Sequence, residues 1–445
     1  MIAVRRTRRT MTTVASCSLA LLVMATRCVP QTSAVVANPI GSRVVSAPMA
    51  GRLVDNDRIA RIALAGAVTR APVSATSRWR IDEQDGRDPL VKGTGGERWR
   101  IEQRGTLLRV AGDGDDVTPW RQGAFVARPS TSDALVLFNG KRYRGELWFV
   151  ATDSGILVVN RLPVEDYLRG VVSLEMGTRQ LSDRSALEAQ AVAARSYSYI
   201  RVPATRSTAP AGGWHMLATV TNQVYGGVEA EHPLVNQAID ATAGLVLKYA
   251  GQIVDASYFS SCGGRTATPR DAWRDAKEQP YLPGVDDTDL TTGRPFCDVN
   301  PRNHWTEELN AQQLSDAVRR ALEVQGATAP QSADLRGMEI TDHSTSGRVG
   351  ALLFHTSRGD IRIAARDVRA VLRDARGAIL SSTYFSVDHE TRSGSRLTGV
   401  TLRGNGNGHG VGMCQWGAIG RARAGQDTRT ILRHYFPGTV LGFVE

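Results

Sequence analysis

The segment from residue 163 to 200 constrains the fold most, because its pattern predicts two helices joined by a short bend. It reads PVEDYLRGVVSLEMGTRQLSDRSALEAQAVAARSYSYI. Pro163 suits the first position of a helix, and the apolar residues that follow it recur at helical spacing. Gly177 can adopt the left-handed turn that closes a helix, and Ser182 or Asp183 can cap the next one. The second helix is rich in alanine, so we predict a closely packed two-helix core element.

The bend between the two helices carries one carboxylate, Glu175, between Leu174 and Met176. Burial among apolar neighbours disfavours the charged form of a carboxyl group. A glutamate held in this way can act as a general acid near neutral pH. Exposed glutamates at helix ends are more common than perturbed ones. The stretch by itself therefore leaves both interpretations open.

Glycine alternates with other residues near the C-terminus, in the sequence GNGNGHGVGMCQWGA at 404–418. This alternation predicts an extended strand with one face free of side chains, which a ligand or a neighbouring backbone can approach closely. The Lys-Ser/Thr pair of a phosphate-binding loop is missing, so a phosphate-binding loop of this kind is excluded here. His409 lies shortly before Cys414, and a Cys–His nucleophile is one alternative for this segment.

Three motifs, in the same order along the chain, resemble the family of stage II sporulation protein D and the amidase enhancer LytB. They are PVEDYLRGVVSLEMG followed by LEAQAVAARSY, then YFSSCGGRT, then HGVGMCQWGA. The resemblance covers residues 135 to 445 and departs from the family at Cys414, where serine is usual. It implies that Glu175 is the catalytic acid of a peptidoglycan lytic transglycosylase. The residues predicted to bind substrate are Arg195, Tyr258, Ser260, His409 and Gln415; Arg195 could instead orient Glu175.

Several members of that family carry a zinc site, made by one His and two Cys, between the second helix and the YFSSCGGRT motif. The corresponding stretch here, LATVTNQVYGG, contains Thr221 and Asn222 and no cysteine. Hydroxyl and amide groups are poor zinc ligands, and His215 and His232 alone cannot form a site. We therefore predict no metal and no other cofactor.

Three of the five cysteines lie beyond the N-terminal segment, at Cys262, Cys297 and Cys414. In an oxidising compartment a pair and an odd thiol are expected. Cys262 and Cys297 both flank loop-like segments, so we predict a disulfide between them. Cys414 then remains as the odd thiol.

The N-terminus has the pattern of an export signal, since four arginines precede an apolar stretch at residues 11–25. The formal net charge of +10 falls to +5 without residues 1–37, which carry five arginines and no acid. We expect an exported, cell-envelope protein, with an uncleaved anchor or a lipoprotein as the alternatives. A modest positive charge suits an anionic wall polymer, and no basic run with interleaved aromatics indicates nucleic acid.

The predicted fold class is α+β, in four parts. Residues 1–37 are the signal peptide, 38–50 a linker, 51–134 a β-rich module and 135–445 a mixed α/β catalytic domain. The family resemblance implies that the substrate is the MurNAc–GlcNAc bond of glycan strands from which an amidase has removed the stem peptides. The alternatives are a non-enzymatic protein that enhances a partner cell-wall amidase, and a Cys414-dependent peptidase or transferase.

Overall fold

The computed structural model describes residues 58–86, 88–114, 116–203, 213–273, 275–326 and 333–444. The predicted signal peptide and linker lie outside these residues. The chain divides into two units, and every described residue belongs to the second, Ala50–Glu445. In these described ranges, no helix is long and apolar enough to cross a membrane.

Short strands occupy the first hundred described residues. They are β1 (Ile59–Val68), β2 (Arg70–Ala75), β3 (Trp79–Glu83), β4 (Pro89–Gly93), β5 (Trp99–Arg104), β6 (Leu107–Ala111), β7 (Arg121–Gln122), β8 (Phe125–Pro129), β9 (Val136–Phe138), β10 (Lys141–Tyr143), β11 (Glu146–Thr152) and β12 (Gly155–Pro163). With β13 (Met216–Leu217), they form a seven-stranded sheet of order β13-β1-β12-β11-β8-β3-β4 and a six-stranded sheet of order β10-β9-β2-β5-β6-β7. Strands from both sides of residue 134 share each sheet, so the predicted boundary there does not separate two compact bodies.

The helices of the described chain follow. They are α1 (Val164–Met176), α2 (Arg184–Arg201), α3 (Pro233–Ala241), α4 (Pro269–Ala272), α5 (Ala311–Val324), α6 (Ala365–Val371), α7 (Gln415–Arg423) and α8 (Thr428–Tyr435). The two predicted core helices are α1 and α2. Pro163 is the residue before α1 rather than its first residue, and α2 follows the short 3₁₀ turn Leu181–Asp183. The alanines of α2 are fully buried, and this helix packs against α1, α3, α7 and α8.

The remaining strands are β14 (Leu245–Tyr249), β15 (Gln252–Ile253), β16 (Tyr258–Phe259), β17 (His304–Asn310), β18 (Leu335–His343), β19 (Val349–Thr356), β20 (Gly359–Ala364), β21 (Phe385–Ser393), β22 (Arg396–Asn405), β23 (Met413–Cys414) and β24 (Val440–Phe443). The two large sheets share one hydrophobic core with α1, α2, β16 and β23. A second core lies within 309–402, where α5 and α6 pack with the sheets β17-β22-β21 and β18-β19-β20. The predicted α+β class is confirmed.

Candidate active site

The last turn of α1 places Glu175 at the boundary between solvent and core. Leu174 on one side is 45% exposed, whereas Met176 on the other is 1% exposed. Gly177 has φ +66°, and its N–H donates to the carbonyl of Ser173 over 2.8 Å. Gly177 ends the helix at the predicted residue with a positive φ, although its ψ of −168° differs from that of the predicted left-handed turn. Glu175 lies two residues before it.

Two donors from distant parts of the chain reach the Glu175 carboxylate. The backbone N–H of Val224 donates to Oε1 over 3.2 Å. The side-chain Nε2 of Gln415, the first residue of α7, donates to Oε2, also over 3.2 Å. The end of α1, the loop before residue 225 and the start of α7 therefore meet at this one carboxyl group.

The surroundings of Glu175 have two opposing effects on its pKa. Burial raises the pKa of Glu175 above its ordinary value, and the hydrogen bonds from Gln415 and Val224 oppose that shift in part. The net effect is a raised pKa, the direction that a general acid requires. After a proton leaves, the carboxylate formed already has two donors in place.

Pairing of two short strands brings two of the sequence motifs together. β16 runs parallel to β23, with Tyr258 opposite Met413. The Tyr258 hydroxyl accepts a hydrogen bond from Gln223 Nε2 over 2.7 Å, and Gln223 Oε1 accepts one from Ser198 of α2 over 3.0 Å. Burial and the nearby charge of Glu175 raise the pKa of Tyr258 well above its usual range. Tyr258 is therefore a neutral phenol beside the acid.

His409 forms a hydrogen bond with the backbone of β16. Its Nδ1 accepts the N–H of Val411 over 3.1 Å, so Nε2 carries the proton and donates to the carbonyl of Tyr258 over 3.0 Å. Burial lowers the pKa of His409 to about 4, and its ring packs on Phe259 and Trp273. Because both ring nitrogens are engaged within the protein, His409 positions the backbone of Tyr258.

Trp416, which follows Gln415 and contacts Ser260, was not among the predicted site residues. The carbonyl of Ser260 accepts the N–H of Trp416 over 3.0 Å. The Trp416 ring is half-buried, and the guanidinium of Arg179 lies 4.6 Å from its centre. Trp416 thus adds an aromatic surface directly after Gln415. Its position within the HGVGMCQWGA motif could have indicated this.

Arg195 does not reach the candidate site. Its side chain is fully buried and forms two hydrogen bonds with the carboxylate of Glu165, of 2.6 and 2.9 Å. It also donates to the backbone carbonyls of Ile239 and Leu245. A buried guanidinium engaged in this way joins α1, α2 and the chain that enters β14. It is not in contact with Glu175, so we leave it out of the site.

The glycine-rich segment does not form the extended strand that its alternation predicts. Gly406, Gly408, Gly410 and Gly412 all have φ between +76° and +112°, a region that favours glycine. A Cβ on Gly412 would overlap the carbonyl oxygen of Ser257. The expected close approach of a neighbouring backbone is therefore present, although the strand geometry is not.

The three cysteines also differ from their predicted arrangement. Cys262 Sγ and Cys297 Sγ are 3.5 Å apart and not bonded, and all three thiols are free. Cys414 is fully buried in the same cluster, and burial raises its pKa well above the ordinary value. Because His409 is bonded to Tyr258 and Val411, the structure does not form a Cys414–His409 nucleophilic pair.

The residues that correspond to the family's zinc site do not fit a metal. Asn222 Oδ1 accepts the N–H of Leu217 over 2.9 Å. His215 Nδ1 accepts the N–H of Arg61, and His232 Nδ1 accepts the N–H of Leu234 at the start of α3. These histidines serve separate backbone contacts. This segment contributes Gln223 and Val224 to the site, and neither was predicted from the sequence.

Comparisons with known proteins cover the same region. A family model described as stage II sporulation protein matches residues 152–249, and one described as a domain of unknown function matches 297–412. An uncharacterized protein of Brachyspira hyodysenteriae is 31% identical over 69% of this chain and 74% of its own length. The amidase enhancer of Bacillus subtilis is 33% identical over 70% of this chain and 45% of its own. Stage II sporulation protein D of Bacillus subtilis is 27% identical over 63% and 75%.

The fold and the site define an α+β protein in which a two-helix element holds a glutamate of raised pKa beside a neutral tyrosine. The chain belongs to the family of stage II sporulation protein D and the LytB amidase enhancer.

Proposed function

We propose that the protein is a peptidoglycan lytic transglycosylase with Glu175 as its acid and base. The observation that carries the proposal is the Glu175 carboxyl group. Burial raises its pKa, and donors from two distant segments are aimed at its two oxygens. A group that must give up a proton and later accept one needs both conditions.

The chemistry proposed is cleavage of the β-1,4 bond between MurNAc and GlcNAc. Protonated Glu175 donates its proton to the glycosidic oxygen as the C1–O bond breaks. The carboxylate that remains, stabilised by Gln415 and Val224, accepts the proton of the C6 hydroxyl of MurNAc. That hydroxyl oxygen then bonds to C1 and leaves a 1,6-anhydro end. No water is consumed, and Glu175 returns to its protonated state.

One carboxyl group is enough for this sequence. An inverting glycosidase needs a second carboxylate to activate water on the opposite face of the sugar. The two groups that donate hydrogen bonds to the Glu175 carboxyl group are Gln415 and Val224, and neither is an acid. These contacts suit the intramolecular route that we propose.

The side chains around Glu175 suit a carbohydrate. Trp416 follows Gln415 and has Arg179 packed on its ring, and we propose that a sugar ring stacks on this aromatic side chain. Tyr258 contributes a neutral hydroxyl, and Gln415 an amide. We propose glycan strands already stripped of stem peptides as the substrate, and an exported, envelope-associated location for the protein.

Mass spectrometry of digestion products tests the proposal. Wild type, Glu175→Gln and the matched surface control Glu323→Gln are incubated with intact and with amidase-stripped peptidoglycan. We expect anhydro-muropeptides from wild type and the control, more of them from stripped glycan, and none from Glu175→Gln. Equal product from Glu175→Gln would overturn the assignment of the acid.

The second candidate function is enhancement of a cell-wall amidase, which the name of the Bacillus subtilis relative suggests. The same digestions with a purified amidase added separate the two functions. No anhydro product from wild type on either substrate, together with faster release of stem peptides by the amidase, would replace the transglycosylase by the enhancer.

A further inference from the structure

A cluster of three thiols and one carboxylate lies in the core behind the candidate site. Its members are Cys262, Asp287, Cys297 and Cys414, and each is fully buried. Their ligand atoms all lie within 4.8 Å of one another. We propose that this cluster binds one divalent metal ion of the zinc class, in a closed structural site. This assignment differs from the sequence prediction, which gave the chain no metal ligand.

The spacing of the four ligand atoms fits a tetrahedral ion. Sulfur atoms bound to one zinc ion at about 2.3 Å lie about 3.8 Å apart. Here Cys262 Sγ is 3.5 Å from Cys297 Sγ and 3.2 Å from Asp287 Oδ2. A small change in these distances between ligand atoms would therefore be enough to place an ion among them. Three thiolates and one carboxylate form a ligand set that soft divalent cations prefer over calcium or magnesium.

Backbone donors already point at the sulfur atoms. Cys414 Sγ accepts the N–H groups of Cys262 and Gly417, each over 3.1 Å. Cys262 Sγ accepts the N–H of Gly264 over 3.3 Å. Such donors stabilise negative charge on sulfur. A metal needs the thiolate form, and the backbone is arranged to support it.

The carboxylate of Asp287 is oriented by two further residues. Arg421 Nε donates to Oδ1 and the hydroxyl of Tyr435 donates to Oδ2, each over 2.8 Å. Partners of this kind fix the direction of a metal ligand. Gly417 allows the approach, because a Cβ there would overlap both Asp287 and the Tyr435 hydroxyl.

Charge balance supports an occupied site. Two buried guanidinium groups adjoin the cluster, Arg421 on Asp287 and Arg348 on the carbonyl of Cys262. Three thiolates and one carboxylate around a divalent cation leave two negative charges in excess, which these two arginines balance. With three neutral thiols, the buried Arg348 would have only the weaker influence of the Asp271 carboxylate to offset its charge, at a cost in free energy.

The site would hold together the segments that form the candidate active site. Cys262 follows Ser260 by two residues, and Cys414 immediately precedes Gln415. Asp287 comes from the loop before the short 3₁₀ helix Phe296–Val299, and Cys297 lies in that helix. Because the four ligands belong to separate segments, an ion would fix the positions of Tyr258 and Gln415 without contacting the substrate.

The test uses the full chain with Cys17→Ser and Cys28→Ser, so that these three cysteines remain. It is purified without chelators, and elemental analysis, thiol titration and intact mass are measured. We expect about one zinc ion per chain and thiols that react only after chelation. Exchange with cobalt should produce thiolate-to-cobalt charge-transfer bands. A mass two hydrogens lower without metal, which indicates a Cys262–Cys297 disulfide, would overturn the proposal, as would three reactive thiols without metal.

A variant that keeps every ligand provides a second, independent readout. Tyr435→Phe removes one hydrogen bond from Asp287 and should weaken zinc binding by about 10–100-fold in a competition with a chromophoric chelator. Tyr281→Phe, a tyrosine that packs on Tyr249 instead, is the matched control and should bind as wild type does. Equal affinity in Tyr435→Phe and Tyr281→Phe would contradict the role assigned to Asp287.

Discussion

Removal of the Gln415 side chain should move the pH dependence of the reaction in a defined direction. Gln415 Nε2 donates to the Glu175 carboxylate over 3.2 Å, near the long end of N–H···O hydrogen bonds. A hydrogen bond to a charged group contributes about 1.5–3 kcal/mol, and this distance favours the lower value. About 1.4 kcal/mol corresponds to one pH unit or to tenfold in rate. The expected effect of Gln415→Ala is therefore about one unit and about tenfold.

The sign follows from the role of Glu175 as an acid. Its protonated form is active, so the rate falls as pH rises through its pKa. Without Gln415 the carboxylate loses a donor and the pKa rises further, because burial remains. The alkaline limb should move to higher pH, while kcat at the plateau falls.

The assay is the initial rate of anhydro-product release from stripped glycan across the pH range, for wild type, Gln415→Ala and Gln312→Ala. Gln312 lies exposed on α5 and provides the control. An alkaline limb that stays in place or moves to lower pH in Gln415→Ala would refute the proposed stabilisation of the Glu175 carboxylate.

Three further predictions concern stability. Glu175→Gln should have a higher melting temperature than wild type at alkaline pH, and the difference should shrink toward about pH 4. The reason is that the pKa of Glu175 is raised in the folded state, so wild type loses stability as the pH rises through that pKa. A pH-independent difference in calorimetry would contradict this. Arg195→Met should lower the free energy of unfolding in urea by about 3 kcal/mol, the low end for a broken buried pair, since it leaves Glu165 unpaired with a side chain only 15% exposed. Arg195→Met with Glu165→Leu should recover much of this loss. Gly412→Ala should be more destabilising than Gly425→Ala. Both glycines have φ above +80°, which costs alanine about 1–2 kcal/mol. Only at Gly412 would the added Cβ overlap a backbone carbonyl. Equal melting temperatures would refute that difference.

The two-helix element could be predicted from the sequence because its determinants are local. Helical spacing, Gly177 and the alanines of the second helix all act within a few turns, and α1 and α2 lie where these residues indicate. The start of α5 also has a local determinant. The chain first forms β17, and α5 begins after Asn310, whose side chain accepts the N–H of Gln313.

The partners of the predicted site residues depended on distant segments and could not be predicted in the same way. Arg195 has a residue type suited to an anionic substrate, yet Glu165, 30 positions earlier, takes its guanidinium. The sequence predicts an odd thiol at Cys414, whereas its sulfur lies beside those of Cys262 and Cys297 because β16 pairs with β23.

The alternating glycines show a limit of pattern reading. A period of two is typical of a strand only when the residues adopt extended φ and ψ. Glycine adopts positive φ as readily as negative φ, and four of these glycines have positive φ. The pattern therefore indicated close backbone approach correctly and secondary structure incorrectly.

Digestion of amidase-stripped glycan in water enriched in heavy oxygen is the most direct test of the role of Glu175. Transfer to the C6 hydroxyl of MurNAc consumes no water, so wild type should release anhydro ends without the heavy label, and Glu175→Gln should release none. Heavy oxygen at newly formed reducing ends, or unlabelled anhydro ends from Glu175→Gln in wild-type amounts, would contradict the mechanism.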